Sequence, residues 1–263
     1  ETLAHQALRA APRNAILVLE QDHWIGPMWY LQEQLGVRRD VVLIAYGLSA
    51  SEWYWRHLYR RHPTLHDFKL RAKGGRTARV QRFVEANEDR PLQIERIALA
   101  NRLGLPTCPS DWLLDVTPTC DPDASTPPLA TYSAAALDEL GQGSPGTDGL
   151  IALVTLDRGY DLWTHGLPRA AVEVLLTGVP AIDGLETVDL SPLPPRADPK
   201  ARPSPMYEPD VALGHPARNL HYAALIARTS RAPQLADYFE RLSNALGPVE
   251  PKFTSFARSP ANL

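Results

Sequence analysis

Two apolar runs, "NAILVLEQ" at 14–21 and "RDVVLIAYGL" at 39–48, constrain this chain more than any other feature. Each is too short for a buried helix and is bounded by Pro or polar text, so each reads as a strand buried on both faces. Between them "PMWYLQEQLG" opens at Pro27, a good first helical residue, and closes at Gly36, a good helix stop. A second helix, "SASEWYWRHLYRRHP", must end before Pro63. The order β-α-β-α with continuous apolar strands predicts an α/β, Rossmann-like open parallel sheet covered by helices, with a right-handed crossover. The strands are expected near 14–21 and 40–47, the joining helix near 27–35.

The pattern continues. Residues 2–11 and "GGRTARVQRFVEANEDR" read as helices, and "PLQIERIAL" and "SDWLLDVT" supply further strands. "TPTCDPDASTPPLA" is a loop by composition. Residues 132–141 and 168–178 read as helices, while 150–157 fits either strand or helix. Seven Pro lie between residues 192 and 209, an extended linker or surface-hugging loop. Two amphipathic helices follow near 211–229 and 232–246; Leu235, Tyr238, Phe239, Leu242 and Leu246 fall on one face. They form a helical pair that resembles one tetratricopeptide unit. The domain reading is therefore an α/β domain over 1–190, a Pro-rich linker over 191–210, and the helical pair over 211–250.

Composition removes several function classes. The net charge of −3 is not that of a chain built to coat nucleic acid. No apolar run reaches the ~18 residues that a membrane span needs. There is no G-x-G-x-x-G after the first strand, no G-x-x-x-x-G-K-[ST], and "GLSAS" is not a nucleophile elbow, so no cofactor is expected. His57, His62 and His66 lack partner ligands and a common helix, and read as solvated histidines rather than a metal site. Asp121 and Asp123 in "CDPDAS" read as turn formers. Cys108 and Cys120, the only cysteines, are either two buried free thiols or a disulfide closing a short loop.

The candidate chemistry clusters early. Asp22 and His23 lie just past the first strand's carboxyl end, where ligands gather in open α/β sheets. Asp22 can accept hydroxyl donors, or simply cap the next helix. Trp24 can offer a flat face to a sugar, with Arg38 and Trp53 as neighbours. Four of the six Trp lie between residues 24 and 55, and consecutive Trp53-Tyr54-Trp55 must point several ways around a helix. Nine of the 27 lysines and arginines fall between Arg56 and Arg82 with one acid, Asp67, an excess suited to anionic lipid or a phosphate-bearing substrate, or to ordinary helix surface.

The stretch from residue 12 to 60 resembles a segment of a family of bacterial multi-spanning membrane proteins of unknown function. That family is related to a eukaryotic transmembrane protein O-mannosyltransferase and looks like the C-type glycosyltransferases. Asp22, Pro27, Tyr30, Leu31, Gln32, Gly36, Val37, Arg38, Asp40, Val41, Trp53 and Tyr54 stand where the family pattern wants them. Gln21 replaces a usual Gly, Trp24 stands where many members carry a second acid, and Arg39 replaces Pro. The resemblance implies a parent that moves a sugar from a polyprenyl-phosphate donor to an acceptor outside the cytoplasm. It implies that this chain is a periplasmic, accessory domain, tethered by its own N-terminal transmembrane region and facing a glycan or protein acceptor. It also implies an oxidising home, and with it a Cys108–Cys120 bridge. The alternatives are a self-contained α/β enzyme using Asp22 and His23, and a protein-interaction module.

Overall fold

The computed structural model describes residues 2–67, 75–110, 112–120, 145–179, 182, 185–197 and 216–246. The chain forms two compact units, Glu1–Thr131 and Tyr132–Leu263. The sequence reading had extended the first domain to residue 190. The division falls instead in the Pro- and Asp-rich text after Cys120, and the helices beyond it group with the C-terminal pair.

The first unit is α/β. Its elements are α1 (Thr2–Ala10), β1 (Ile16–Leu19), α2 (Asp22–Glu33), β2 (Val42–Ala45), α3 (Glu52–Arg61), α4 (Arg76–Ala86), β3 (Leu92–Ile94), α5 (Ile97–Leu103), β4 (Thr107–Pro109) and β5 (Leu114–Val116). The sheet order is β2-β1-β3-β5-β4. β1 pairs in parallel with β2, Ile16 opposite Val42, and with β3, Ile16 opposite Leu92. Every residue of β1 and β2 is buried, as the continuous apolar runs require. Each such side chain contributes roughly 1.5–3 kcal/mol of burial.

The sheet is mixed rather than all parallel. β5 runs antiparallel to both β3 and β4. Only four residues separate β4 from β5, too few for a crossover, so the two close as a hairpin. α5 carries the chain past β3 to the outer position, and β5 returns into the gap. The run "PLQIERIAL" splits accordingly: Leu92–Ile94 is strand, and Ile97–Leu103 is helix ended by Gly104 at φ 68°.

α2 begins five residues before the expected first position, so Pro27 lies inside it. Pro27 leaves the His23 carbonyl without its i+4 donor. Burial outweighs that cost: Trp24, Ile25, Met28, Leu31 and Gln32 form one buried helical stripe, and the Trp24 and Ile25 amides bond the Gln21 carbonyl at 3.1 and 3.2 Å.

The second unit contains α6 (Pro145–Thr164), α7 (Pro168–Thr177), α8 (Pro216–Thr229) and α9 (Pro233–Ala245). Proline opens each of these helices, where its missing N–H costs nothing. Residues 150–157, open to either reading, are helical. α7 packs on α6 and α8, and α9 on α8. The helices touch closely: a Cβ at Gly178 would collide with Thr155 and Asn219, whose side chains join α6 to α8 at 2.8 Å. Of the Pro-rich stretch, 191–197 is described. It lies along α7, where Arg169 Nε donates to the Leu193 carbonyl at 2.9 Å. The expected helix at 132–141 and the acids Asp121 and Asp123 lie outside the described residues.

Candidate functional site

The parallel strands β1, β2 and β3 end side by side, and the residues that follow them meet at one edge. Glu20 follows β1, Tyr46 follows β2, and Glu95 and Arg96 follow β3. The Glu95 carboxylate is buried and accepts the backbone N–H groups of Glu20 and Gln21 at 2.5 and 3.0 Å. It thereby splices the end of β3 to the end of β1. Glu20 accepts from Arg96 Nη2 at 2.7 Å and from Arg102 Nη2 on the same oxygen. Burial opposes ionisation of Glu20, but the two guanidiniums outweigh it and hold the carboxyl below its ordinary range.

Tyr46 is buried and carries three more contacts. The guanidinium carbons of Arg76 and Arg102 lie 5.2 and 5.4 Å from its ring centroid, and its hydroxyl meets Thr77 Oγ1 at 2.8 Å. Arg79, one turn along α4, donates to the Ala50 carbonyl after β2. His23 is half-buried. Burial first, and the Arg96 charge second, push its pKa down to about 4 against the raising effect of Asp22, so the imidazole is neutral at pH 7. Its Nε2 is buried without a hydrogen-bond partner among the described residues.

The candidates read from the sequence are thereby separated. Asp22 is exposed at the start of α2. No hydrogen bond joins it to His23 among the described residues, so the two do not form an acid–base pair. Trp24 is 5% exposed and packs on His23 at 5.7 Å between ring centroids, so it has no free face for a sugar. Its place on the buried stripe of α2 is the reason. Arg38 lies at the opposite, amino end of the sheet. Its guanidinium donates to the carbonyls of Leu8, Arg9, Ala11 and Pro12 and to both oxygens of Asp40. It closes the carboxyl end of α1 and is no part of a ligand crevice.

Trp53 does line a cavity, but a different one. A groove of about 420 Å³ runs between α2 and α3 beside the edge strand β2. Leu43, Leu48 and Leu58 make its floor, Trp29 and Trp53 its aromatic walls, and Glu33, His57 and Arg61 its polar rim. Trp53 is 60% exposed. Arg61 and Glu33 pair across the groove. The edge of β2 itself is closed: the Tyr54 hydroxyl accepts from the Ala45 amide at 2.7 Å and donates to the Leu43 carbonyl at 3.1 Å, while Gln32 Nε2 donates to the Val41 carbonyl at 2.8 Å. A peptide strand could not add there without displacing both side chains.

Of the three histidines, His57 and His66 are exposed, but His62 is buried at the end of α3. Burial, then Arg61 and Arg90, lower its pKa to about 4. It is a packed neutral histidine rather than a solvated one. Cys108 and Cys120 are joined by a disulfide with a Cα separation of 5.3 Å.

Sequence reasoning missed Glu20, Tyr46, Glu95, Arg96 and Arg102. The strand-end rule points to Glu20, Tyr46, Glu95 and Arg96 only one at a time, each just past an apolar run, and gives no sign of Arg102 on α5 or of the five meeting. No protein-family model, no curated protein and no solved structure matches the chain.

Proposed function

We propose that this chain is the extracytoplasmic, accessory part of a glycosyltransferase-like membrane protein, and that it holds a glycan acceptor in the groove between α2 and α3. The single observation that carries the glycan reading is Trp53: a large aromatic ring, 60% exposed, on the wall of a groove with a charged rim. A pyranose presents an apolar C–H face that stacks on such a ring, while its hydroxyls suit Glu33, His57 and Arg61. The disulfide supports an oxidising compartment. The resemblance over residues 12–60 supports the membrane-bound parent, in which sugar transfer belongs to the membrane part. The four helices described in the second unit support a tetratricopeptide-like reading: α6 with α7 and α8 with α9 are two helical pairs, with α6 also against α8. That unit would serve assembly with a protein partner.

The test is a glycan array followed by fluorescence titration of the strongest hits. The proposal expects saturable binding that Trp53→Ala reduces at least about tenfold while the melting temperature stays in place, since an exposed side chain contributes little to stability. Retention of no glycan by the native chain, or unchanged binding by Trp53→Ala, would sink the groove reading.

A further inference from the structure

We propose that the carboxyl ends of β1, β2 and β3 form a second binding site, separate from the groove, for a phosphate-bearing anion. The site is built on a chain of contacts. Arg76 and Arg102 share the Tyr46 ring, and Arg102 and Arg96 share one oxygen of Glu20. Three guanidiniums are thus gathered around one carboxylate and one ring. Arg79 stands one turn from Arg76, its Nη1 on the Ala50 carbonyl and its Nε buried without a partner.

Two of its guanidiniums, those of Arg76 and Arg79, distinguish this cluster from a satisfied ion-pair network. Glu95 is occupied by the Glu20 and Gln21 amides, and Glu20 already serves two arginines. Arg76 and Arg79 have no carboxylate partner among the described residues. Packing arginines onto a ring and onto a shared carboxylate orders them before a ligand arrives, which lowers the entropic cost of binding. A tetrahedral dianion with several acceptor oxygens matches planar guanidinium forks better than a carboxylate or chloride does. The helix that carries Arg76 adds to this. α4 runs eleven residues from Arg76 to Ala86, starts at Gly75 without a side-chain cap, and has no acid in its first turn. Its first-turn N–H groups, uncapped by any side chain among the described residues, and the Thr77 hydroxyl therefore meet the same region. The neutral His23, beside Arg96, adds a polar nitrogen without adding a cation.

The site sits where open α/β sheets place ligands, although the glycine-rich loop of dinucleotide folds is absent from the sequence. The ligand is therefore identified by its phosphate, not by a nucleotide. A soluble phosphate ester and a phospholipid headgroup present the same chemistry, and the test separates them.

Calorimetric titration of the disulfide-intact chain with inorganic pyrophosphate, at fixed ionic strength, reports on the soluble form. Co-sedimentation with phosphatidylglycerol vesicles, against phosphatidylcholine vesicles, reports on the headgroup. The expected result is saturable binding in one arm or both, weakened at least about tenfold by Arg76→Ala and by Arg102→Gln. Arg241→Ala, on α9 of the other unit, should leave it unchanged. Pyrophosphate binding identifies a soluble ester; vesicle binding alone identifies a headgroup. Arg76→Ala guards against misfolding as a cause, because Arg76 is exposed and holds no structural carboxylate. Absence of binding in both arms at millimolar probe would overturn the proposal. So would binding that Arg76→Ala and Arg102→Gln leave intact.

Discussion

Arginines stand at both ends of the three parallel strands, and they are used in opposite ways. At the amino end, Arg38 has its donors on four carbonyls of the α1 terminus and on Asp40. Asp40 in turn accepts the Asn14 amide at 2.9 Å, and Gln32 Nε2 spans the Arg38 and Val41 carbonyls. One guanidinium thus ties α1, the entry to β1 and the entry to β2 into a clasp. At the carboxyl end, Arg76 and Arg79 meet a ring and a carbonyl but no carboxylate among the described residues, beside the Glu20 carboxylate that Arg96 and Arg102 share. A guanidinium whose three nitrogens are all engaged by backbone carbonyls and a structural carboxylate, as in Arg38, is there for the fold. A guanidinium that keeps a donor free and meets no carboxylate can still take an anionic ligand. Residue type alone does not tell the two apart; the partner atoms do.

The largest effect should come from opening the clasp. Arg38→Ala leaves several carbonyls and Asp40 without their donor, and the expected loss is about 3 kcal/mol in urea denaturation. Arg38→Lys should recover little of it, because an ammonium cannot reproduce the fork. Gln32→Ala removes the two amide bonds beside the clasp and should cost roughly 1–2 kcal/mol by the same measurement. Full stability in either variant would break the structural half of the comparison.

A smaller effect is a pH dependence that assigns acid sensitivity to one end. Asp40 is held down to about 2, first by its hydrogen bond from Arg38 with burial opposing, then by the Asn14 amide and the Arg38 charge. The unfolded carboxyl binds its proton near 3.8, so the clasp contributes fully above that pH and is lost only as pH falls through about 2. His23 behaves differently. Its folded pKa of about 4 lies below the ordinary 6.5, so between those values the unfolded state binds more protons than the folded one. Stability is fully present above 6.5 and declines as pH falls towards 4. His62 does the same at the end of α3. The melting temperature should therefore drop by a few degrees between pH 7 and 4. His23→Gln should flatten part of that slope and leave the fall below pH 3 unchanged. A slope unaltered by His23→Gln would mean that His23 is hydrated and does not feel Arg96.

The smallest stability effect belongs to Arg76→Ala. Its side chain is exposed and holds no carboxylate, so denaturation should shift by no more than about 0.5 kcal/mol.

Much of this division could be read from the sequence, and some could not. The apolar runs announced β1 and β2 because strands buried on both faces must be apolar throughout. The mixed outer sheet was harder: β4 is three residues of "TCP", with no apolar run to mark it. α2 was placed too late because Pro27 is a good helix opener, and only the tertiary burial of Trp24 and Ile25 shows that the helix starts earlier. The same burial removed Trp24 from the candidate site. Arg38 stood beside apolar text like any binding arginine, and its role depended on α1, far away in the chain. Of the twelve residues on which the sequence resemblance rests, Gln32, Gly36, Arg38 and Asp40 fall on the clasp and its turn, and these four speak for the fold more than for a reaction. Trp53 was legible because no core can bury three consecutive aromatics of one helix. The carboxyl-end cluster was not, because its members come from β1, β2, β3, α4 and α5, and only the sheet order brings them together.

The measurement that bears most directly on the two uses of arginine is the pyrophosphate-induced rise in melting temperature, compared between Arg38→Lys and Arg76→Ala. A ligand that binds only the folded state raises stability by an amount set by its concentration relative to Kd. The account predicts a lower starting temperature with an undiminished rise for Arg38→Lys, and a native starting temperature with the rise lost for Arg76→Ala. An undiminished rise in Arg76→Ala, or a fall in its starting temperature as large as that of Arg38→Lys, would contradict it.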